Sequence, residues 1–579
     1  MNSVGFRAEV HTKPGWKLFG IPAIVAAVLF SGVLGHDFAY DDGFTRPIVE
    51  SGAWWGPGAL RPTSRSLTYA FHYLDFVLWD GWAPGYHLTN LVLHALASGI
   101  AALAGARVAR SRRVGLVCGL LFAVHPVHVE VVAAIAFRKD SLAMIFVGLA
   151  LWLWLRRPRS VWAVGLATAC YGLGLYAKEV AVAPLAAFLP LTPMLHRDGE
   201  PAASGRPLRR LLWMLPVLAV GLAVVYASLR NVQFQSPDGL RFENYGDYFV
   251  ARLAAIPSWF RLLFAPLLLS YEYPPHLPAS VADPRVALGV GLVLVWCGTA
   301  VLLCKRHPVP AFAMLWVVGM SLGSGSVVPH HILVADRYLY VPSFGGCLLL
   351  AWLAHRYGRR PRTGPWAYAL LFVALVLGGL RSNLRAGDWR DNEAVARAAL
   401  RDGVDLFGPR ATVGRAELAA GRHEEAERHF RRACELGPNC IKAWNGLGVA
   451  LLKMGRIDES IATLHTATEL RPLDGQTRYN LGVALQMDGD IPGAVAELRA
   501  ACETGFATPP MAYHNLGCLL AELGDDRGAA DAFHEAVRRM PDFVGSRVGL
   551  GEAWIALGEV ERGQALLQEA QRMERAGAR

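Results

Sequence analysis

The chain has 579 residues, too many for one ordinary domain, and 53 % of them are hydrophobic while only 18 % are charged, which excludes a purely soluble protein. The net charge of +10 is unevenly distributed: residues from Asp388 onward carry 23 Lys and Arg against 29 Asp and Glu, and those before it carry 34 against 18. A basic, apolar part followed by a mildly acidic, polar part indicates a membrane domain joined to a soluble one. Because the excess cations lie in short loops between apolar stretches, the sequence gives no indication of nucleic-acid binding.

The first predicted element is a membrane span over 18–35, preceded by three basic residues. No small-residue cleavage site follows this stretch, so it is predicted to be a retained span rather than a signal peptide. Further apolar stretches bring the predicted number of spans to about eleven, near 87–106, 114–137, 140–155, 161–177, 180–196, 211–230, 286–304, 309–328, 338–355 and 366–381.

Basic residues collect in the even-numbered connections, which predicts a cytoplasmic amino terminus and places the odd-numbered loops and the carboxyl end outside. The apolar stretch 248–270 is an exception, because it contains Arg252, Pro257, Arg261 and Pro266. If it were counted as a span, every later loop would change sides. We therefore predict a re-entrant or interfacial helix on the outer side.

The last third of the chain is a repeat array. A Val-Gly or Leu-Gly pair recurs at intervals of 34, 34, 35 and 34 residues, starting at Val413-Gly414. An alanine recurs with each pair, and a bulky apolar residue stands three positions before that alanine. This period is typical of tetratricopeptide (TPR) repeats, which stack into a superhelix with a peptide-binding groove. The predicted organisation is a membrane domain over 1–387, a linker over 388–406 and five repeats over 407–577.

The nine cysteines are scattered and form no CxxC pair, so they do not indicate a zinc site. A disulfide between Cys434 and Cys440 is one interpretation of the two that lie closest together in the repeats. The alternative, which the repeat pattern favours, is that both are small residues packed in the core.

The first outer loop begins with Asp41 and Asp42, directly after the first span. One interpretation is that a carboxylate here takes a proton from an attacking hydroxyl, and the other is an ordinary solvated loop. Further along, His87, Asn90 and His94 share one face of a predicted membrane helix. Polar groups in such a helix face a cavity or another helix, and helix–helix hydrogen bonding is the favoured interpretation.

The later outer loops carry most of the remaining polar residues. Arg138 and Lys139 are suited to an anionic ligand, because a guanidinium can hold a phosphate in a fork and an ammonium adds a point charge. His125, His128 and Glu130 suggest zinc instead, but no third well-spaced ligand accompanies the histidines. Lys178 and Glu179 form a candidate ion pair at a helix junction, and Arg337 is a further phosphate candidate at a membrane boundary.

Seven segments occur in an order that resembles a known family: YDD, RPTSRSLTY, HLTNLVLH, LFAVHPVHVE, RKDSLA, AKE and DRYLYVPS. The chain is similar over its whole length to the transmembrane-and-TPR-containing O-mannosyltransferases, which are GT-C glycosyltransferases related to the protein O-mannosyltransferases. The resemblance implies an all-α protein: a polytopic GT-C-type bundle of about eleven spans, followed by a carboxyl-terminal TPR α-solenoid.

The resemblance also implies roles for individual residues. Asp41 or Asp42 is the base acting on a Ser or Thr hydroxyl, and the lipid-phosphate leaving group is held by four cations: Arg138, Lys139, Lys178 and Arg337. The remaining matched positions shape the site, namely Arg61, Arg65, His94, His125, His128, Glu130, Asp140, Glu179 and Tyr340. Transfer is expected to proceed in one step, with inversion at the anomeric carbon.

The implied substrates are polyprenyl-phosphate-mannose and a protein acceptor recruited by the TPR groove, with no tightly bound cofactor and no metal among the site groups. The chain lacks a nucleotide-binding glycine loop, which fits a lipid donor. The implied location is a bacterial inner membrane, with the amino terminus cytoplasmic and the repeats periplasmic. Two alternatives remain open: a GT-C enzyme that glycosylates a lipid or an envelope polysaccharide with the repeats as scaffold, and a non-enzymatic membrane assembly protein.

Overall fold

The computed structural model describes residues 15–39, 66–155, 161–178, 245–270, 273, 280–326, 332–504 and 509–577, and these residues are helical or irregular throughout. The chain divides into two compact units, Met1–Val404 and Asp405–Arg579. Several sequence predictions fall outside the described residues: the spans near 180–196 and 211–230, and the site candidates Asp41, Asp42, Arg61, Arg65 and Glu179.

The described part of the first unit consists of α-helices and short 3₁₀ turns. Its helices are α1 (Trp16–Leu29), α2 (Ser66–Trp79), α3 (Ala83–Ala109), α4 (Arg112–Ala123), α5 (Val129–Ala133), α6 (Arg138–Trp154), α7 (Val161–Ala177), α8 (Tyr245–Phe264), α9 (Pro284–Cys304), α10 (Pro308–Ser326), α11 (Tyr340–Gly358), α12 (Gly364–Gly387) and α13 (Asn392–Arg401). The 3₁₀ turns are Ser31–Gly35, Pro126–His128, Ile135–Phe137 and Asp336–Leu339.

Within the described residues, four helical segments are long and apolar enough to cross a bilayer: Ala83–Ala109, Pro284–Cys304, Asp336–Gly358 and Gly364–Gly387. A fifth crossing is possible only if Arg112–Ala123 and Pro126–Ala133, which are bent by 54° at their junction, count as one span. The described residues therefore support four or five spans. Two of the eleven predicted spans lie outside them, so the full count stays a prediction. The apolar run 114–137 reads as one span in the sequence, but Pro126 cannot continue α4, and two short elements follow it.

The surfaces of two of these helices are those of a membrane protein. In the most apolar 18-residue stretch of each helix, only 17 % of α9 and 6 % of α12 is buried, although both helices are strongly hydrophobic. Leu302 on α9 is 82 % exposed and Leu370 on α12 is 70 % exposed. Apolar surface of this extent is stable in hydrocarbon and not in water. With the helix lengths above, it makes the chain an integral membrane protein.

The segment predicted as a re-entrant or interfacial helix forms α8. Its Arg252 is 1 % exposed and donates hydrogen bonds to the carbonyl oxygens of Leu333 at 2.6 Å and Ser321 at 3.2 Å. The same guanidinium lies 4.1 Å from the ring centroid of Trp259. Arg252, which interrupts the apolar pattern expected of a span, is thus buried against protein. The placement of α8 at the outer interface stays a prediction.

The segment predicted as a linker, 388–406, contains the ten-residue helix α13. The Asp391 carboxylate caps this helix by accepting a hydrogen bond from the Ala394 amide at 2.8 Å. Arg385, near the end of α12, pairs with Asp388 at 3.1 Å and with Asp402 at 3.5 Å. Ion pairs on both sides of α13 therefore fix it to the last membrane helix of the first unit.

The second unit contains ten helices in the described residues, arranged as five antiparallel pairs: α14 (Phe407–Ala419), α15 (His423–Leu436), α16 (Ile441–Lys453), α17 (Ile457–Leu470), α18 (Gly475–Asp488), α19 (Ile491–Thr504), α20 (Met511–Glu522), α21 (Asp526–Arg539), α22 (Val544–Ala556) and α23 (Val560–Gly577). The recurrent glycines mark close crossings within pairs. A Cβ at Gly448 would lie 2.5 Å from Leu464, and one at Gly482 would lie 2.8 Å from Leu498. The TPR prediction is confirmed, and Cys434 and Cys440 are both free thiols.

Truncating a large apolar residue between the paired helices should destabilise the repeats strongly. Phe430 is 2 % exposed and belongs to the core cluster of the first two repeats, so Phe430→Ala is expected to lower the free energy of unfolding by about 3–5 kcal/mol. Leu473→Ala is the control, because this leucine is 68 % exposed and its truncation should cost less than about 0.5 kcal/mol. Urea unfolding followed by tryptophan fluorescence measures both, and equal losses would contradict the packing described here.

Candidate active site

Buried charges gather where several helices of the first unit begin or end. Glu130 on α5 is 1 % exposed, and one of its carboxylate oxygens accepts a hydrogen bond from the Arg337 amide at 2.8 Å. The other oxygen accepts a hydrogen bond from the Arg337 guanidinium. That guanidinium lies 4.4 Å from the ring centroid of Phe137. Backbone and side chain of Arg337 thus both bind one carboxylate, which fixes the turn before α11 against α5.

A second ion pair joins α6 to the end of α7. Lys178 Nζ lies 2.5 Å from Asp140 Oδ1, and the two side chains are 3 % and 1 % exposed. Lys178 was predicted to pair with its neighbour Glu179. Glu179 lies outside the described residues, and within them the partner of Lys178 is a carboxylate in the first turn of α6, where the helix dipole also favours a negative charge.

A third pair contains a residue that the sequence analysis did not select. Arg138 Nη1 lies 2.5 Å from the carboxylate of Asp75 on α2, and both side chains are at most 1 % exposed. Thr89 Oγ1 donates a hydrogen bond to the same carboxylate at 2.6 Å. Burial raises the pKa of Asp75, and Arg138 opposes that rise. The sequence could have pointed to Asp75, because it is an acidic residue within the largely apolar segment FHYLDFVLW. An acidic residue in such a segment of a membrane protein marks a functional or paired position.

Four cations surround two aromatic rings in this region. Around the ring of Tyr338 lie Arg337 at 5.1 Å, Lys178 at 5.4 Å and Arg252 at 5.9 Å. Lys139 lies 5.3 Å from the ring of Phe137, on which Arg337 also packs. We call Lys139, Lys178, Arg252 and Arg337 the cation cluster. Arg252 was predicted only as an obstacle to a membrane span, and its place in this cluster depends on how α8 packs.

Three carboxylates lie near the cation cluster in the part of the chain that the structure describes. Glu130 and Asp140 pair with two of its members. Asp336 precedes Arg337 in the chain and accepts a hydrogen bond from Tyr273 Oη at 2.5 Å. Among the described residues, four cations thus lie beside these three carboxylates in a low-dielectric setting. Such a region attracts an anion more strongly than a surface patch of equal charge.

The predicted histidines form a neighbouring hydrogen-bond network. His94 Nε2 lies 3.3 Å from the Ala123 carbonyl oxygen and must donate to it, so in the neutral ring Nδ1 accepts from Tyr340 Oη at 2.7 Å. Ser141 Oγ donates to the same phenolic oxygen at 3.3 Å. His128 Nε2 lies 2.7 Å from Ser343 Oγ. The network joins α3, α6 and α11, which supports the helix–helix interpretation.

His125 lies beside this network, with its ring centroid 5.4 Å from that of His128, and its Nε2 lies 3.0 Å from the Leu263 carbonyl oxygen at the end of α8. In the part of the chain that the structure describes, no three His, Cys, Asp or Glu side chains converge as a metal site would require.

Asn90 binds the backbone at the point where α5 ends. Its amide donates to the carbonyl oxygens of Val131 at 3.4 Å, Val132 at 3.3 Å and Ala134 at 3.0 Å. Val131 and Val132 lie in the last turn of α5 and Ala134 follows it, where the α-helical ladder is interrupted. A buried carbonyl without a donor is costly, so one side chain stabilises the bend that precedes Arg138.

Replacing Asn90 with leucine should therefore destabilise the first unit. We expect Asn90→Leu to lower the free energy of unfolding by about 1–3 kcal/mol, because the carbonyl groups lose their donor while the side-chain volume is kept. Val92→Ala on the same helix is the control, since Val92 is 47 % exposed. Thermal unfolding of the full chain in detergent would test this, and a melting temperature unchanged in Asn90→Leu would contradict the assigned role.

The chain just before Asp41 is held from two sides. His87 Nε2 donates to the Asp37 carbonyl oxygen at 3.2 Å, and the Asp37 amide donates to the Arg390 carbonyl oxygen at 2.9 Å. Phe38 packs edge-on against Tyr86, with ring centroids 5.5 Å apart. The segment that leads to the predicted acidic pair is thus fixed between α3 and the residues that follow α12.

Fold and site together define an integral membrane protein with a buried, cation-rich cluster at its helix ends and a carboxyl-terminal TPR array. The tetratricopeptide-repeat family matches this chain at residues 417–480, and a second description of the same repeat matches 380–439 and 514–578. Among solved structures, YrrB, described as a TPR protein with an unusual peptide-binding site, is 18 % identical over 31 % of this chain and 91 % of its own, with a TM-score of 0.27.

Longer matches cover about two thirds of the chain. Human protein O-mannosyl-transferase TMTC4 is 25 % identical over 458 residues, covering 65 % of this chain and 60 % of that protein. Mouse TMTC3 is 24 % identical over 66 % of this chain and 45 % of its own length, and Drosophila melanogaster Tmtc1 is 26 % identical over 72 % and 61 %. The chain is thus a distant homologue of the TMTC protein O-mannosyl-transferases, and it spans about half to three fifths of their length.

Proposed function

We propose that this protein is a membrane glycosyltransferase of the GT-C class that transfers mannose from polyprenyl-phosphate-mannose to Ser or Thr hydroxyls of polypeptides. The observation that carries the proposal is the cation cluster, since a lipid-phosphate leaving group needs fixed positive charge at the ends of membrane helices. The distant homology to protein O-mannosyl-transferases supports the same conclusion. The TPR array is proposed to recruit the acceptor.

In this mechanism the hydroxyl oxygen of the acceptor attacks the anomeric carbon as the bond from that carbon to the phosphate oxygen breaks. The electron pair leaves with polyprenyl phosphate, and the configuration at the anomeric carbon inverts. Arg337, Lys178 and Lys139 would stabilise the growing phosphate charge, with Arg138 beside them. Asp41 or Asp42 would accept the hydroxyl proton. His94, His128 and Tyr340 would hold the surrounding helices in register.

Membrane orientation is part of the proposal. The basic even-numbered connections support a cytoplasmic amino terminus, with the acidic pair, the cation cluster and the repeats on the opposite side of a bacterial inner membrane. On that side a polyprenyl-linked sugar presents its phosphate at the interface while its tail stays in the bilayer.

The direct test is transfer of radiolabelled mannose from polyprenyl-phosphate-mannose to a Ser/Thr-rich peptide by the purified full chain. Asp41→Asn and Asp42→Asn are compared with Asp37→Asn, whose carboxylate is exposed and accepts a hydrogen bond from the neighbouring Phe38 amide. Loss of the base should lower the rate by about 10²–10⁴-fold in one of the first two variants. Equal transfer by both would contradict the base assignment. Failure of the wild type with every peptide would favour a polysaccharide acceptor.

A further inference from the structure

The fourth and fifth repeats enclose a groove that none of the contacts described so far uses. A cavity of about 500 Å³ lies along α22 from Val544 to Ala556, closed on one side by α20 and α21. At 1.5 Å per helical residue this is a length of about 18 Å. An extended segment of five or six residues, at about 3.3 Å each, spans that distance.

The floor of the groove is apolar and neutral. It is formed by Phe533, Cys518 and Val548, together with the ring of His514. His514 is held by Ser546 Oγ at 3.3 Å and by the Cys518 thiol at 3.6 Å, and its ring packs edge-on against Phe543 with centroids 5.0 Å apart. Burial lowers the pKa of His514, so the ring carries no charge at neutral pH. The floor therefore offers aliphatic and aromatic contact without a cation.

The rim of the groove is negative. Asp526, Glu552 and Glu574 line it, and none of the three forms an ion pair with the residues that the structure describes. Glu535 of the same repeats is neutralised by contrast, since it pairs with Arg538 and with Arg539, both at 2.6 Å.

The three carboxylates are spaced along the groove. Gly563, near the start of α23, lies against Gly551 and Ile555 of α22, so these two helices are antiparallel and Glu574 lies near the beginning of α22. Asp526, in the first turn of α21, lines the opposite end, and Glu552 lies between them. Negative charge therefore accompanies the apolar floor along its whole length.

Charge and shape together specify the occupant. A Lys or Arg side chain lays its aliphatic stem on an apolar floor and brings its charged head to a carboxylate. Acidic peptides and anionic lipid surfaces would be repelled by the same rim. We propose that this groove binds an extended segment of the acceptor polypeptide that carries Lys or Arg, so the enzyme selects hydroxyl acceptors that have basic residues nearby. This inference rests on the proposed function only for the identity of the polypeptide as acceptor.

The test is binding of two fluorescein-labelled Ser/Thr peptides to the full chain in detergent, without sugar donor, followed by anisotropy. One peptide carries two lysines and the other carries norleucine at the same positions. We expect the lysine peptide to bind more tightly than the norleucine peptide. Its affinity should fall as the salt concentration rises, whereas the affinity of the norleucine peptide should not change with salt. Glu552→Gln should lower the affinity for the lysine peptide about two- to fivefold and leave the affinity for the norleucine peptide unchanged.

Glu561→Gln is the matched control, because Glu561 is exposed in the first turn of α23 and does not line the groove. Equal affinities of the wild type for the two peptides, no binding of either, or equal losses in the two Gln variants would each overturn the inference. The outcome is separable from the proposed function. Lysine-dependent binding without any mannose transfer would count against the transferase alone. Transfer to both peptides with equal KM would count against the groove alone.

Discussion

Removing the charges of Glu130 and Arg337 together is expected to leave the protein folded and to abolish mannose transfer. In the double variant Glu130→Gln/Arg337→Met the buried ion pair is replaced by neutral side chains of similar size. Such replacements in proteins are often neutral for stability, because the cost of burying two charges disappears with their attraction. The glutamine keeps a side-chain oxygen to accept the amide hydrogen bond that Glu130 now receives at 2.8 Å.

The single variants should behave differently. Arg337→Met leaves the Glu130 carboxylate buried without its guanidinium, and Glu130→Gln leaves the guanidinium without its counter-charge. Each is expected to lose about 3–5 kcal/mol of stability. Transfer by the two variants that lack Arg337 should fall by about 10²–10³-fold, the usual effect of losing one group that stabilises charge in a transition state.

Thermal unfolding and initial transfer rates of all four proteins complete the cycle. Asp283→Asn/Arg285→Met serves as the control for transfer, because that pair lies at the start of α9 outside the cation cluster and its guanidinium is 45 % exposed. Transfer restored in the Glu130→Gln/Arg337→Met protein would mean that Arg337 acts only in packing and that its assignment to the phosphate is wrong. Near-wild-type stability without transfer is the result we expect.

The repeats were predictable because their determinants are local. The close crossing at Gly448 needs a glycine one helix away from Leu464, and that requirement recurs every 34 residues along the chain. The sequence shows Arg138, Asp140 and Arg337 only as polar residues in an apolar context. Their ion-pair partners could not be predicted, because Glu130 and Arg337, for example, are 207 residues apart and nothing local in either segment specifies the other.

The prediction of one regular span over 114–137 was wrong for a different physical reason. Hydropathy measures whether a stretch tolerates hydrocarbon, and it does not report where the backbone bends. Residues 114–137 are apolar throughout, but the helix stops before Pro126, and the carbonyl groups released near Ala134 bind Asn90. Apolar residues there are buried inside protein rather than in lipid, and they bring Glu130 and Arg138 to the same region. The deviation from a regular span is therefore what builds the candidate site.

Asp75 should prove as important for stability as the residues recognised from the sequence. Asp75→Asn leaves the buried Arg138 guanidinium without its 2.5 Å counter-charge, and we expect a loss of about 3–5 kcal/mol. Thr89→Val, which removes the 2.6 Å hydrogen bond to the same carboxylate and the 3.4 Å contact with the Gly85 carbonyl oxygen, should cost about 1 kcal/mol. Asp80→Asn is the matched control in the turn after α2, because its side chain is exposed. Thermal unfolding in detergent measures the stability of the three variants and should rank them in this order.

The Asp75 variant also tests whether Arg138 can hold a phosphate. If it can, polyprenyl phosphate should supply the missing negative charge and raise the melting temperature of Asp75→Asn by more than that of the wild type, because a ligand stabilises the folded state in proportion to its affinity. Polyprenol of the same chain length has no phosphate and controls for the effect of the tail. Equal shifts in the two proteins would assign Arg138 to the Asp75 pair alone. The phosphate would then be left to the cation cluster, where Arg337 and Lys178 share the ring of Tyr338.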